Sequence, residues 1–177
     1  IVSLPALKET HKPTGETSSF GQMFRAFPGL LRTPAFIGYA GYAGCGMGMF
    51  MVVAGGVPFL MIEVFGRGPA AFGLFFMFLA ASFLIGTIVS SRLTVRMGLD
   101  RMIRWGSSGG AFFALVIAGL FLAGVSSPWA IFVPGVFMGF SHGLAMPNAQ
   151  AGAVSVNPQI AGSASGLMTF LQMSIGA

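Results

Sequence analysis

Between Trp105 and Ala177 the chain carries no Asp, Glu, Lys or Arg, a run of 73 residues without a formal charge. A water-soluble domain needs charged side chains on its outside to stay solvated. A bilayer imposes the reverse, since an ionised group at the centre of a membrane helix costs roughly 2.5–3.5 kcal/mol on insertion scales. Of all 177 residues only 7% are charged and 55% are hydrophobic, and the mean hydropathy is +0.85. Lipid is therefore the medium for most of the chain, which is an integral and not a peripheral membrane protein.

A helix that crosses a bilayer needs about 20 mainly apolar residues. Five stretches meet that need, at about 34–60, 70–91, 105–125, 129–149 and 160–177. Ser126-Ser127-Pro128 leaves room only for a tight turn, and Asn157-Pro158 marks the next break, because the residue before a proline is pushed away from helix. The chain opens on Ile1 without a signal-peptide pattern and closes inside an apolar stretch. A fragment of a longer membrane protein, with its last span cut short, is the expectation.

The basic residues orient the spans. Lys8, Lys12, Arg25 and Arg32 precede the first span, and Arg92, Arg96, Arg101 and Arg104 fall between the second and third. Two spans separate these groups, so both lie on one side. Only Arg67, offset by Glu63, lies opposite. Eight of nine basic residues on one face is the positive-inside pattern, which puts that face in the cytoplasm. The expected organisation is a cytoplasmic loop over 1–33 and a transmembrane bundle over 34–177. Within the loop, residues 5–19 read as a polar linker. Residues 20–32 mix apolar and basic positions, and read either as a short interfacial helix or as an ordinary linker.

Catalytic chemistry finds no support. There is no P-loop, no HExxH, no Ser/His/Asp set in context and no pair of carboxylates at depth, so the chain is not read as an enzyme. Cys45 stands alone, which excludes an internal disulfide, and no Cys/His cluster suggests a metal or other cofactor. The basic balance does not indicate nucleic acid, because no basic patch is interleaved with exposed aromatics in a soluble module. One ionisable side chain, His142, lies inside a span. It is either functional or a neutral imidazole bonded to a neighbouring helix. Phe and Met are abundant, at 19 and 12 residues, and suit a soft, permissive cavity. Tyr39, Tyr42, Met47, Phe50 and Met51 on the first span are candidates for its wall. So are Phe137, Met138 and His142 on the fourth, and Met168 and Gln172 on the fifth. Asn148 and Gln172 must find hydrogen-bond partners if buried. Arg92, Arg96, Asp100, Arg101 and Arg104 read as a charge cluster able to lock helix ends in one state. Glycines four apart (Gly44 and Gly48, Gly106 and Gly110, Gly135, Gly139 and Gly143, Gly162 and Gly166) argue for close helix packing. Pro58 and Pro134 are expected to bend their helices, whereas Pro147 and Pro158 read as punctuation.

These residues also carry a family likeness. It rests on Pro58-Phe59 with Phe65-Gly66, Phe72-Gly73, and Gly86 followed by Arg92-Leu-Thr-Val-Arg96-Met-Gly98-Leu-Asp100-Arg101. Pro147-Asn148-Ala149 and Ala161-Gly162-Ser163-Ala164-Ser165, leading to Gln172 and Gly176-Ala177, complete it. Together they resemble the C-terminal half of a major facilitator superfamily transporter, from the central loop through about the eleventh of twelve helices. The most similar branch is the bicyclomycin-resistance (Bcr/CflA) group of drug/proton antiporters. The resemblance implies an all-α bundle that rocks against an N-terminal half in alternating access, set in the inner (cytoplasmic) membrane. Its partners would be a small-molecule substrate, protons, the lipid bilayer and that other half. It also implies that the first and fourth spans line a central cavity, that the third faces lipid, and that Phe50, His142 and Gln172 rank above the other cavity candidates. The activity it implies is proton-driven export of hydrophobic or amphipathic compounds, or else of a small polar metabolite. A sugar site would need many polar donors at depth, and few are present.

Overall fold

The computed structural model describes residues 20–125 and 127–176. The expected linker over 5–19, with Lys8 and Lys12, lies outside them, as do Ser126 and Ala177. Six helices follow in order: α1 (Phe20–Leu31), α2 (Pro34–Phe59), α3 (Pro69–Met97), α4 (Leu99–Leu122), α5 (Pro128–Ser155) and α6 (Ala161–Gly176). A turn of π-helix, Leu60–Val64, extends α2, and a 3₁₀ turn, Pro158–Ile160, precedes α6. Among the described residues there is no strand. Pro34 and Pro128 each open a helix, where the missing N–H is one that no helical carbonyl would have accepted. Pro158 likewise opens its short turn.

Four segments are long and apolar enough to cross a membrane: Pro34–Val64, Ala70–Met97, Leu99–Leu122 and Pro128–Ser155. The protein is an all-α, multi-pass membrane protein. At about 1.5 Å per residue, rods of this kind outreach a hydrocarbon layer about 30 Å thick. Their ends therefore carry the charges clear of the lipid.

That excess length changes the reading of the arginine-rich segment. Residues 92–104 do not form a loop. α3 continues to Met97, α4 begins at Leu99, and Gly98 alone reverses the chain at a φ of 83°. Its N–H still bonds the Thr94 carbonyl at 2.9 Å. Arg, Leu and Met are good helix formers, so hydropathy marks where lipid ends and not where the helix ends. Pro147 is likewise not punctuation but lies inside α5. A proline there leaves the carbonyl four residues back without its helical donor, and the Thr87 hydroxyl of α3 reaches that oxygen, on Gly143, at 3.4 Å.

The bundle is organised around α5, which packs on α2, α3, α4 and α6, whereas α2 and α3 touch each other little. The contacts are backbone-close. A methyl group added to Gly86 of α3 would strike the Phe140 carbonyl of α5, and one added to Gly143 would strike the Phe83 carbonyl of α3. Gly106 of α4 presses in the same way on the Ser141 carbonyl and on Ala145. Small residues replace the hydrophobic drive that lipid cannot supply between helices. α2 pairs with α6 through Gly44 against Ile175 and Gly176 against Met47. Leu30 of α1 is 2% exposed and joins Phe36, Ala164 and Leu167 in one core cluster. α4 turns Phe112, Leu115 and Leu122 out of the bundle.

Candidate functional site

Where α2 and α3 stand apart, a cavity of about 610 Å³ opens over α5, with α6 closing one side. α2 contributes Gly46, Met47, Met49, Phe50 and Val53, and α3 contributes Phe76, Leu79, Phe83 and Thr87. α5 supplies one helical face, on which Gly135, Met138, Gly139, His142, Met146 and Gln150 recur every three or four residues. α6 adds Gln172. Met, Phe and Leu make up about half of the wall, and among the described residues no Asp, Glu, Lys or Arg lines it.

His142 is held in place from three sides. Its Nδ1 lies 3.2 Å from the Tyr42 hydroxyl. Its ring sits 5.8 Å from the rings of both Tyr42 and Phe83. Gly46 makes the approach possible, because a side chain there would collide with the imidazole Cε1. A smaller pocket of about 150 Å³ lies beyond, between α2, α4 and α5. It shares Gly46, Met49, Met138 and His142 with the main cavity, so the imidazole is part of the partition between them.

Of the residues expected at a substrate cavity, Phe50, His142 and Gln172 line this one, with Met47 and Met138. Tyr39 and Asn148 are placed elsewhere. Asn148, 3% exposed, faces α3 and not the cavity. Its Nδ2 donates to Ser90 Oγ at 2.6 Å and to the Leu144 carbonyl at 2.7 Å, while its Oδ1 accepts from Thr94 Oγ1 at 2.8 Å. These bonds use both N–H donors and the oxygen of the carboxamide and clasp α3 to α5. Tyr39 sits nearer the arginine-bearing end. Its hydroxyl donates to Asp100 Oδ1 at 3.0 Å and its ring lies on Gly152, where an added methyl would come within 2.8 Å of Cζ. Met168 is in the core, and Phe137 stacks on Phe113 at 5.1 Å. Met51 is exposed.

The expected charge cluster takes a different form. The carboxylate of Asp100 is met by Tyr39, and among the described residues no arginine side chain pairs with it. Arg104 Nε reaches the Asp100 backbone carbonyl at 3.4 Å, and Arg92, Arg96 and Arg101 are exposed. A helix-bound arginine points toward solvent beyond the lipid, where an ion pair gains little.

Thr87, Phe76, Phe83 and Gln150 are cavity residues that the sequence reading did not single out. For Gln150 a signal was present, since it stands four residues after Met146 and eight after His142 on one helical face. Among the described residues no group of three or more His, Cys, Asp or Glu side chains converges so as to hold a metal ion. The family model of the Major Facilitator Superfamily matches residues 1–177. No curated protein and no solved structure matches the chain.

Proposed function

The chain belongs to the Major Facilitator Superfamily, a family of secondary transporters, and from that premise we propose that it forms the C-terminal half of a proton-coupled exporter of hydrophobic or amphipathic small molecules. In this reading it is of the Bcr/CflA type and sits in the cytoplasmic membrane with its arginine-bearing end inside. The observation that carries the proposal is the chemistry of the cavity. A space of about 610 Å³ walled by Met and Phe suits drug-sized apolar bodies. Thioether and aromatic walls adapt to more than one shape. An ion would find no counter-charge in this lining, and desolvating it unpaired is costly.

The mechanism is alternating access, with this half rocking against an N-terminal half around the site. α3, α4 and α5 are joined by backbone-close glycine contacts and suit motion as one body. α2 meets α5 through the softer contacts of Tyr42 and Tyr39. Because no carboxylate lines the cavity, the coupling acids are assigned to the N-terminal half.

The test is extrusion of a fluorescent apolar compound by the full-length transporter in cells, with and without a protonophore. Extrusion that the protonophore abolishes is expected. Extrusion unaffected by it, or none for any apolar compound tried, overturns the assignment.

A further inference from the structure

The polar groups of the cavity differ in whether the protein has already used them. The Thr87 hydroxyl donates to the Phe83 carbonyl at 3.0 Å. His142 has its Nδ1 engaged by Tyr42. Gln150 of α5 and Gln172 of α6 line the same space, and neither carboxamide has a hydrogen-bond partner among the described residues. Neither is sealed off, because among the described residues no buried side-chain nitrogen or oxygen lacks a partner. Gln150 is exposed and Gln172 half-buried, so both carboxamides can be reached by a molecule in the cavity that they line.

Other polar side chains of the bundle are spent on the protein. Asn148 is bonded to Ser90, Thr94 and Leu144. Ser141 donates to the Phe137 carbonyl and Thr169 to the Ser165 carbonyl. An uncommitted carboxamide that water can reach exchanges that water for a ligand group able to match both its donor and its acceptor. Two of them facing one otherwise apolar space mark where a ligand completes the bonding. Gln150 also lines a groove of about 630 Å³ between α5 and α6, with Pro147, Val154, Ser155 and Pro158. It thus stands where the cavity meets a path toward the arginine-bearing end.

We infer that Gln150 and Gln172 form the specificity-determining polar edge of the cavity, which takes a neutral cargo presenting a hydrogen-bond donor beside an acceptor, such as an unsubstituted amide or a urea. This rests on the cavity being the cargo site. A carboxamide offers a carbonyl acceptor and two N–H donors side by side, so it pairs with a group that has both and only half-pairs with an acceptor alone. The Met and Phe walls take the apolar body. Gln150 meets the polar edge first, at the mouth, and Gln172 holds it at depth.

The experiment compares 2-naphthamide with its N,N-dimethyl analogue, which keeps the ring and the carbonyl but has no donor. Full-length transporter is assayed for transport of each in everted membrane vesicles, and for ligand-induced thermal shift in detergent. Wild type is expected to favour the unsubstituted amide by about tenfold, the scale of one ordinary hydrogen bond's net contribution. Gln150→Leu and Gln172→Leu should each bring the ratio close to one, because the unsubstituted amide loses both halves of its pairing and the dimethyl compound only one. Gln150→Asn should restore part of the ratio. A ratio that survives in the double Leu variant overturns the inference and leaves the export reading intact. Should wild type transport neither compound, a thermal shift that still separates them and is lost in the Leu variants upholds the inference, and the protonophore test decides the export reading separately. The absence of both transport and shift overturns the inference.

Discussion

The Tyr42 hydroxyl lies 3.2 Å from His142 Nδ1, and the contact ties α2 to the helix at the centre of the bundle. It fixes the imidazole as a wall between the main cavity and the pocket of about 150 Å³ behind it. Truncation of His142 joins the two spaces. His142→Ala should therefore admit bulkier cargo than wild type, at unchanged or higher rate, in a size-graded series of apolar substrates. Tyr42→Phe removes only the tether. At about 0.6 kcal/mol for a typical interhelical hydrogen bond in a membrane, it should lower thermal stability slightly and broaden the size limit less than His142→Ala does. A size limit unchanged in both variants would show that the imidazole is not the partition.

Asn148 gives the opposite expectation. It clasps α3 to α5 and lines no cavity, so Asn148→Ala should cost stability and not selectivity. Ser90 and Thr94 each lose their bond to Asn148 while Ser90 keeps its bond to the Leu144 carbonyl, so the loss is that of two interhelical hydrogen bonds at about 0.6 kcal/mol each. Thermal unfolding of the full-length protein should shift down clearly, while cargo preference among the molecules that survive stays that of wild type. A changed preference at unchanged stability would return Asn148 to the cavity.

The contrast between Asn148 and His142 shows what a sequence can carry here. The medium, the helical class and the places where chain leaves lipid were legible, because the charge-free stretches and the arginines report solvent directly. The candidates named on the fourth span also included Met138 and His142, which do line one cavity. What spacing could not say is which neighbour a polar residue meets. Asn148 and Gln150 are two positions apart, and that rotates them to different faces of α5, one toward α3 and one toward the cavity. The loop expected around Arg92–Arg104 failed for a related reason, since charge and helix are compatible once a rod extends past the hydrocarbon. Gly46 was invisible because its function is to have no side chain where the imidazole lies.

The glycines separate by the same logic. Gly86 and Gly143 face carbonyls across the α3–α5 contact, and Gly106 faces one across α4–α5, whereas Gly110, Gly162 and Gly166 have nothing within 4 Å of an added methyl. Spacing four apart grouped tight and open positions together. Gly86→Ala and Gly143→Ala should each destabilise by about 1–3 kcal/mol or more, the cost of overpacking against atoms that cannot rotate away. Gly110→Ala should be neutral or stabilising by up to about 1 kcal/mol, from helix propensity alone. Thermal stability of the purified variants checks this, and equal losses at Gly143 and Gly110 would contradict the packing described.

The hydrogen bond from Tyr39 to Asp100, at 3.0 Å, joins α2 to the first turn of α4, with Gly152 of α5 beneath the tyrosine ring. Three helix ends are thereby pinned on the arginine-bearing side of the cavity. Separating α2 from α5 at that end has to break this bond. Tyr39→Phe and Asp100→Ala should each favour the state open there, by about two- to fivefold for one exposed hydrogen bond. The double variant should add little, because both changes remove one shared interaction. Asp100→Asn keeps an acceptor oxygen and should stay near wild type. The readout is alkylation of a cysteine placed at Ala151, exposed on the groove between α5 and α6, in a Cys45→Ser background. Additive increases in the double variant would mean that the two side chains act separately and that their contact does not restrain the opening.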